Sequence, residues 1–233
     1  MNDCCTGIAP VMSVQPLCYV KKGENTMKLP KIKFQYNSPV ILTMTLVSAA
    51  ALLLNYLTGG WSNHALFSVY RSGLLNPLTY LRMFTHVLGH VNYTHFINNF
   101  TIILLVGPML EEKYGSKMLL EMIAVTACVT GLIHMIFNSK GELLGASGIV
   151  FMLILLSSFA NYKKGNIPIT LILVAIIYLS GEIINAVAKP NDGVSQMAHI
   201  IGGVCGMLFG WVIGKPQADA ETSEKPTDSS LSV

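Results

Sequence analysis

Six apolar runs dominate the chain: Pro39–Leu57, Thr94–Leu110, Met118–Phe137, Ala146–Asn161, Ile167–Ala188 and Ser195–Ile213. A helix needs roughly 20 residues to cross a hydrocarbon core of about 30 Å, and most of these runs approach that length. Inside lipid every backbone amide must find a partner within the protein, so a crossing segment is either a helix or a strand of a closed barrel. Barrel strands alternate polar and apolar residues, and none of these runs does. Composition agrees, with 52% apolar and 12% charged residues and a mean hydropathy of +0.54, values outside the usual water-soluble range. The chain is therefore expected to be an all-α polytopic membrane protein with six transmembrane helices and the lipid bilayer as its surroundings. No nucleic-acid partner is expected.

Between the first two runs, Thr58–Tyr93 mixes Trp61, Phe67, Tyr70 and Leu81 with Asn63, His64, Arg71 and Arg82. It is too polar for a seventh span and reads as a folded loop partly embedded in the membrane interface. Short cytoplasmic loops retain lysine and arginine. With the N-terminus inside, Lys28, Lys31, Lys33, Lys113, Lys117, Lys163, Lys164 and Lys215 lie on the cytoplasmic side, against Arg71, Arg82, Lys140 and Lys189 outside. Both termini are thus expected in the cytoplasm. Residues 1–38 read as a cytoplasmic tail, 39–214 as the membrane domain, and 215–233, rich in Ser, Thr, Glu and Asp, as a disordered tail. Met27-Lys28-Leu29-Pro30-Lys31 makes an alternative start. Cys4, Cys5 and Cys18 fall in the first tail and Cys128 and Cys205 inside spans, so free thiols are expected rather than a disulfide framework.

Depth brings polar residues together. The fourth run, begun by Gly145-Ala146-Ser147-Gly148, gives only roughly 20 Å of helix, short of the core by about 10 Å. Irregular backbone below the membrane surface is tolerated only where protein buries it or where it lines a wet cavity, which puts Ser147 in a cavity opening outward. The sixth run enters from the same side and carries His199 about one turn in. His95 and Asn99, four apart on the second run, share a face at the same level. A serine hydroxyl needs a base to become a nucleophile, and histidine is the usual one, so a Ser147–His199 dyad is expected. Asp192 is a possible but unsupported third member. His95, Asn99 and the Ser147 backbone N–H are the candidate oxyanion donors, groups typically worth about 3–4 kcal/mol each in serine proteases. Gly202, Gly206, Gly210 and Gly214 recur every four residues on the sixth run, a stripe that lets another helix approach closely, with the fourth run as the natural partner.

Other polar groups carry a blander reading. His86 and His90 have a metal-ligand spacing with His95 nearby, but no His-Glu-x-x-His pattern accompanies them, so hydrogen-bonded loop histidines are expected and no metal or cofactor. Glu182, in the fifth run, is costly to bury in lipid and is expected to face a cavity or to bond a neighbouring helix. His134 and Glu121 read as structural polar contacts.

These residues resemble the rhomboid family of six-helix intramembrane serine proteases. The resemblance rests on Arg82 with His86 and His90, on His95-Phe96-Ile97-Asn98-Asn99, Glu111 and Gly115, and on Gly145-Ala146-Ser147-Gly148 and Ala198-His199-Ile200-Ile201-Gly202. It implies a rhomboid-like bundle with Ser147 as nucleophile and His199 as general base and acid. His95 and Asn99 would sit in the oxyanion hole, with Gly145 as the motif glycine; Arg82 and Glu111 would be structural, and Glu182, on the helix that borders the family's proposed substrate entry route, would be a gating candidate. Leu81 stands where the family often has Trp, and Phe151 where many members have Tyr; a phenylalanine ring can still stack on the histidine. The implied substrates are single-pass transmembrane proteins cut in or near their membrane segment. The compact core without a long import sequence leads us to expect a prokaryotic plasma membrane rather than an organelle. A rhomboid-like pseudoenzyme that binds clients without cutting them is the alternative. A small transporter would need an internal repeat, which the chain lacks.

Overall fold

The computed structural model describes residues 36–138, 141–159, 169–188 and 196–213. The two expected tails lie outside the described residues, apart from Tyr36–Ser38, as do Asn161, Gly214 and Asp192. Seven α-helices follow in order: α1 Pro39–Leu57, α2 Pro77–Thr85, α3 Tyr93–Tyr114, α4 Ser116–Phe137, α5 Ser147–Ser157, α6 Ile169–Ala188 and α7 Gln196–Ile213. Four of them, α1, α3, α4 and α7, are long and apolar enough to cross a membrane. The short α5 and the apolar first part of α6, Ile169–Tyr178, complete the six expected runs. The protein is an all-helical, multi-pass membrane bundle.

Two boundaries differ from the sequence reading by more than three residues. The second run extends past Leu110 to Tyr114, carrying Glu111 inside the helix. The fourth is shorter than Ala146–Asn161: its helix has 11 residues, about 16 Å at 1.5 Å per residue. The reason is packing. No residue of α5 is fully exposed and eight of its eleven are buried, so packing inside the bundle, and not the bilayer's thickness, sets its length.

Local chemistry starts and stops the helices. Asn92 caps α3 by accepting the His95 N–H at 2.9 Å, and Asn76 caps α2 through the Leu78 N–H at 3.0 Å, with Pro77 in the first turn. α1 has no side-chain cap of its own at Ser38. Glu111 supplies one from α3: its carboxylate accepts the Val40 and Ile41 N–H groups at 2.9 and 3.1 Å and the Ser116 hydroxyl at 2.7 Å. A buried carboxylate at a helix N-terminus meets both orphan donors and the positive end of the dipole. Glu111 is thereby a structural clasp among α1, α3 and α4. Gly115, at φ +82°, turns the chain directly from α3 into α4, a conformation that L residues with a side chain rarely adopt.

The segment Thr58–Tyr93 is a folded loop, as its composition suggests. It holds one wide π-type turn, Asn63–Phe67, and the helix α2. Its Val69 forms an antiparallel bridge with Leu143, two N–H···O bonds of 2.9 Å each, in the loop that precedes Ser147. The main core gathers Ile103 and Leu110 of α3, Leu119 and Met122 of α4, and Ile149, Met152 and Leu153 of α5, so α5 runs through the middle of the bundle.

Candidate active site

The seam between α5 and α7 is built from backbone. A Cβ on Gly202 would fall onto the Gly148 carbonyl, one on Gly206 onto Met152 backbone, and one on Gly210 onto the Phe159 ring. Gly148 in turn lies close to the Ala198 carbonyl, 3.3 Å from where its own Cβ would be. Only hydrogen fits at the three α7 positions, which fixes how far along each other the two helices sit. The register sets Ser147, first residue of α5, at the same end of the seam as His199, on the first turn of α7. Phe151, one turn into α5, lies face to face with the His199 imidazole, ring centres 4.6 Å apart at 10°. On its other contact Phe151 meets Tyr178 of α6 edge-on at 5.4 Å. Ser147 and His199 are both half-buried.

The approach to Ser147 is held from the loop side. Gly145 has φ +122° and donates its N–H to the His86 carbonyl at 2.9 Å. His95 packs where a side chain would be: a Cβ on Gly145 would sit 2.6 Å from His95 Cε1. Glycine is required here twice over, by the dihedral and by the imidazole. The structure thus brings Gly145 and His95 together beside Ser147.

Asn99 lies one turn beyond His95 on α3, buried, and its amide donates to His90 Nε2 at 3.2 Å. His90 Nδ1 sits 3.2 Å from the Leu88 carbonyl. A carbonyl can only accept, so Nδ1 carries the proton and Nε2 is the acceptor. The Ala146 N–H also points at this Nε2, at 3.5 Å. His90 is wholly buried, and burial, with His95 nearby, pushes its pKa down to about 4. It is a neutral acceptor that ties Asn99 to the serine loop. The sequence pointed to His90 only as a loop histidine; its signal was its five- and nine-residue spacing to His95 and Asn99, which no helical period explains.

His86 faces elsewhere. Its Nδ1 bonds the Arg82 carbonyl at 3.3 Å, and the Thr130 hydroxyl lies 3.4 Å from its Nε2. Burial again lowers its pKa to about 4. His86, His90 and His95 are therefore not gathered on one point, and among the described residues no group of three His, Cys, Asp or Glu side chains could hold a metal ion. Arg82 is buried, donates through Nε to the Ala65 carbonyl at 2.9 Å, and places its guanidinium 4.6 Å from the centre of the Tyr70 ring. It pins the wide turn onto α2. Tyr70 also stacks on His64 at 4.8 Å, and His64 meets Glu142 at 2.6 Å, next to the Val69–Leu143 bridge. His134 is a structural contact, 3.0 Å from the Gly141 carbonyl, and Glu121 makes only an exposed 4.0 Å approach to Lys117. Glu182 belongs to α6, but its side chain lies outside the described residues.

Fold and site together define a polytopic membrane bundle whose polar groups meet at one end of a short internal helix. The family follows from sequence comparison: a Rhomboid domain model matches residues 77–216, more than half of the chain and every element from α2 to α7, and the protein belongs to the rhomboid family. Three characterised sequences are similar to it. The rhomboid protease GlpG of Haemophilus influenzae is 26% identical over 58% of this chain and 70% of its own length. Rhomboid-related protein 2 of Mus musculus is 26% identical over 75% of this chain and 65% of its own. RHOMBOID-like protein 1 of Arabidopsis thaliana is 28% identical over 56% of this chain and 34% of its own. The chain thus spans about two thirds of the first two and a third of the last.

Proposed function

We propose that the protein is an intramembrane serine endopeptidase that hydrolyses a peptide bond in or near the transmembrane segment of a client membrane protein. What supports this reading most is the glycine seam, which brings the serine end of α5 and the histidine end of α7 to one level, with Phe151 stacked on His199. Ser147 Oγ attacks the client carbonyl while His199 accepts its proton. The oxyanion that forms takes hydrogen bonds from the Ser147 N–H, at a helix N-terminus, and from the Asn99 and His95 side chains. Asn99 is suited to this because one amide hydrogen is committed to His90 and the other remains. Collapse of the intermediate breaks the C–N bond as His199 returns the proton to the leaving amine. Water, deprotonated by His199, then attacks the acyl-serine ester and releases the acid product and the free hydroxyl. A client helix has to unwind locally first, since its interior carbonyls are already hydrogen-bonded. The lysine asymmetry orients both termini to the cytoplasm, and we assign the protein to a prokaryotic plasma membrane.

Cleavage of a fluorescent single-span reporter in liposomes tests the reading. Wild type should cut, a chelator should leave the rate unchanged, and Ser147→Ala and His199→Ala should each be inactive while keeping the wild-type melting temperature. A folded wild type that captures reporters from a broad panel and cuts none of them would sink the protease reading in favour of a client-binding pseudoenzyme.

A further inference from the structure

Four hydrogen bonds converge on His90, in the loop between α2 and α3. Its carbonyl accepts the Asn63 amide N–H from the wide turn at 2.9 Å, and its Nδ1 donates to the Leu88 carbonyl at 3.2 Å. Its Nε2 faces two donors, the Asn99 amide at 3.2 Å and the Ala146 N–H at 3.5 Å. Phe96 and Phe100 wall the ring in, each with its ring centre 5.5 Å away. A neutral imidazole protonated at Nδ1 has its one acceptor lone pair at Nε2, so both donors depend on a single atom.

That dependence fixes which way the Asn99 amide points. A side-chain amide has a donor end and an acceptor end of nearly the same shape, and turning it over exchanges them. Among the described residues the Asn99 side chain makes no hydrogen bond but this one, so His90 selects the donor end. Turned over, the Asn99 oxygen would face the Nε2 lone pair, acceptor against acceptor, and leave a buried polar atom unpaired. The second donor leads to the serine itself. Ala146 is wholly buried, with its N–H on His90 and its carbonyl accepting the Val150 N–H at 2.9 Å. Both ends of the residue are bonded, so the peptide unit that carries the Ser147 N–H is held in place.

We infer that His90 is a positioning residue of the oxyanion hole: the lone pair on its Nε2 aims an Asn99 amide hydrogen and the backbone of the serine loop at the developing oxyanion. The inference rests on the protease reading. His90 itself touches no reacting atom; its effect passes through Asn99 and Ala146, and it requires a neutral ring. A proton on Nε2 would set a donor against the Ala146 N–H and draw the Asn99 oxygen round in place of its hydrogen. The titratable side chain beside the ring is His95, edge-on at 5.1 Å, while Asn63, Asn99, Phe96 and Phe100 carry no charge. Burial, with His95 adding to it, keeps the His90 pKa down at about 4, so the lone pair is present at neutral pH.

Reporter cleavage by the full chain in liposomes, resolved into kcat and KM, tests it. His90→Phe keeps a flat ring and removes the acceptor. Its kcat should fall about tenfold to a hundredfold, no more than the loss of a whole oxyanion donor costs, with KM changed by less than about twofold. His90→Gln, whose amide oxygen reaches the Nε2 position, should recover most of that loss. In an Asn99→Ala background His90→Phe should cost less than about threefold more, because the main group it acts through is gone. A merely structural role would give the same loss in both backgrounds, and that result overturns the inference. Nitrogen-15 NMR of ring-labelled histidine in Ser147→Ala protein reads the tautomer without proteolysis, the His90 signals being those that His90→Gln removes. Nδ1 should be protonated and Nε2 bare near pH 7; the reverse overturns the inference. If His90→Phe does not fold by melting temperature, His90→Asn, which leaves the Nε2 position without an acceptor, takes its place. A wild type that cuts no reporter removes the protease reading and this inference with it, whereas a wild type that cuts while His90→Phe keeps its kcat overturns the inference alone.

Discussion

The α5–α7 seam and the loop platform beneath α2 hold the same few residues in place by opposite means. Along the seam, backbone meets backbone through Gly148, Gly202 and Gly206, with van der Waals contact doing the positioning. On the platform, Arg82, His86, His90 and Asn99 are buried polar side chains, each directed by a specific hydrogen bond. The seam's glycine contacts have no titratable group to lose and no room to gain one. The platform has directional precision, but its bonds depend on protonation and on each partner being present. The serine stands where the two meet: α5 and α7 fix it from one side, and the Gly145–His86 and Ala146–His90 contacts fix it from the other.

Acid separates the two regions most strongly. His86 and His90 bind a proton near pH 6.5 when unfolded but only near pH 4 in place. Above pH 6.5 neither state is charged, so the full stability is present. Between 6.5 and 4 the unfolded state takes up protons that the folded state does not, and stability falls with pH by about 3 kcal/mol for each histidine across that window. Hydrogen exchange at pH 7.5 and 4.5 should show amides of Arg82–His90 losing protection while those of α7 keep theirs, after correction for intrinsic rates. Equal losses in both would break the contrast.

The converse perturbation is Gly202→Val, which drives a side chain into the Gly148 carbonyl. Overpacking usually costs about 1–3 kcal/mol, and backbone cannot move aside as a side chain does. We expect the upper end of that range in thermal melts, with an effect independent of pH. Arg82→Gln removes the bond to Ala65 and the charge over Tyr70 and should cost about 2 kcal/mol, again read by melting temperature. Arg82→Lys should recover little of it, because lysine lacks the Nε–H donor. The smallest effect belongs to Glu142→Gln. The His64–Glu142 contact is roughly half exposed and should contribute less than about 1 kcal/mol; a melting shift as large as that of Arg82→Gln would make this outer contact part of the platform's frame.

The same division governs what could be read in advance. The seam was legible because its determinant is periodic: glycine every fourth residue names both the helix face and the small partner it needs. The six apolar runs were legible for the same reason, since hydrocarbon thickness sets a length scale that sequence must meet. The platform was not legible, because its bonds join residues far apart in the chain through side-chain and carbonyl groups that leave no spacing rule. Glu111 capping Val40 and Ile41, Arg82 reaching Ala65, and Val69 pairing with Leu143 are of this kind. The true end of α5 was missed because apolar residues continue past it, and only the burial of most of its residues inside the bundle explains why a shorter helix suffices.

That burial has a further consequence. Helices with a lipid-facing side respond to hydrophobic mismatch by tilting or by deforming the bilayer, at fractions of a kcal/mol per Å. No residue of α5 is exposed, so membrane thickness has no direct hold on the helix that begins with Ser147. The depth of the serine is a dimension of the protein, measured against α3, α4 and α7. On the proposed protease reading, a thicker or thinner membrane would shift a client segment's level relative to this fixed point, so lipid composition alone would change which stretch of that segment comes opposite the hydroxyl.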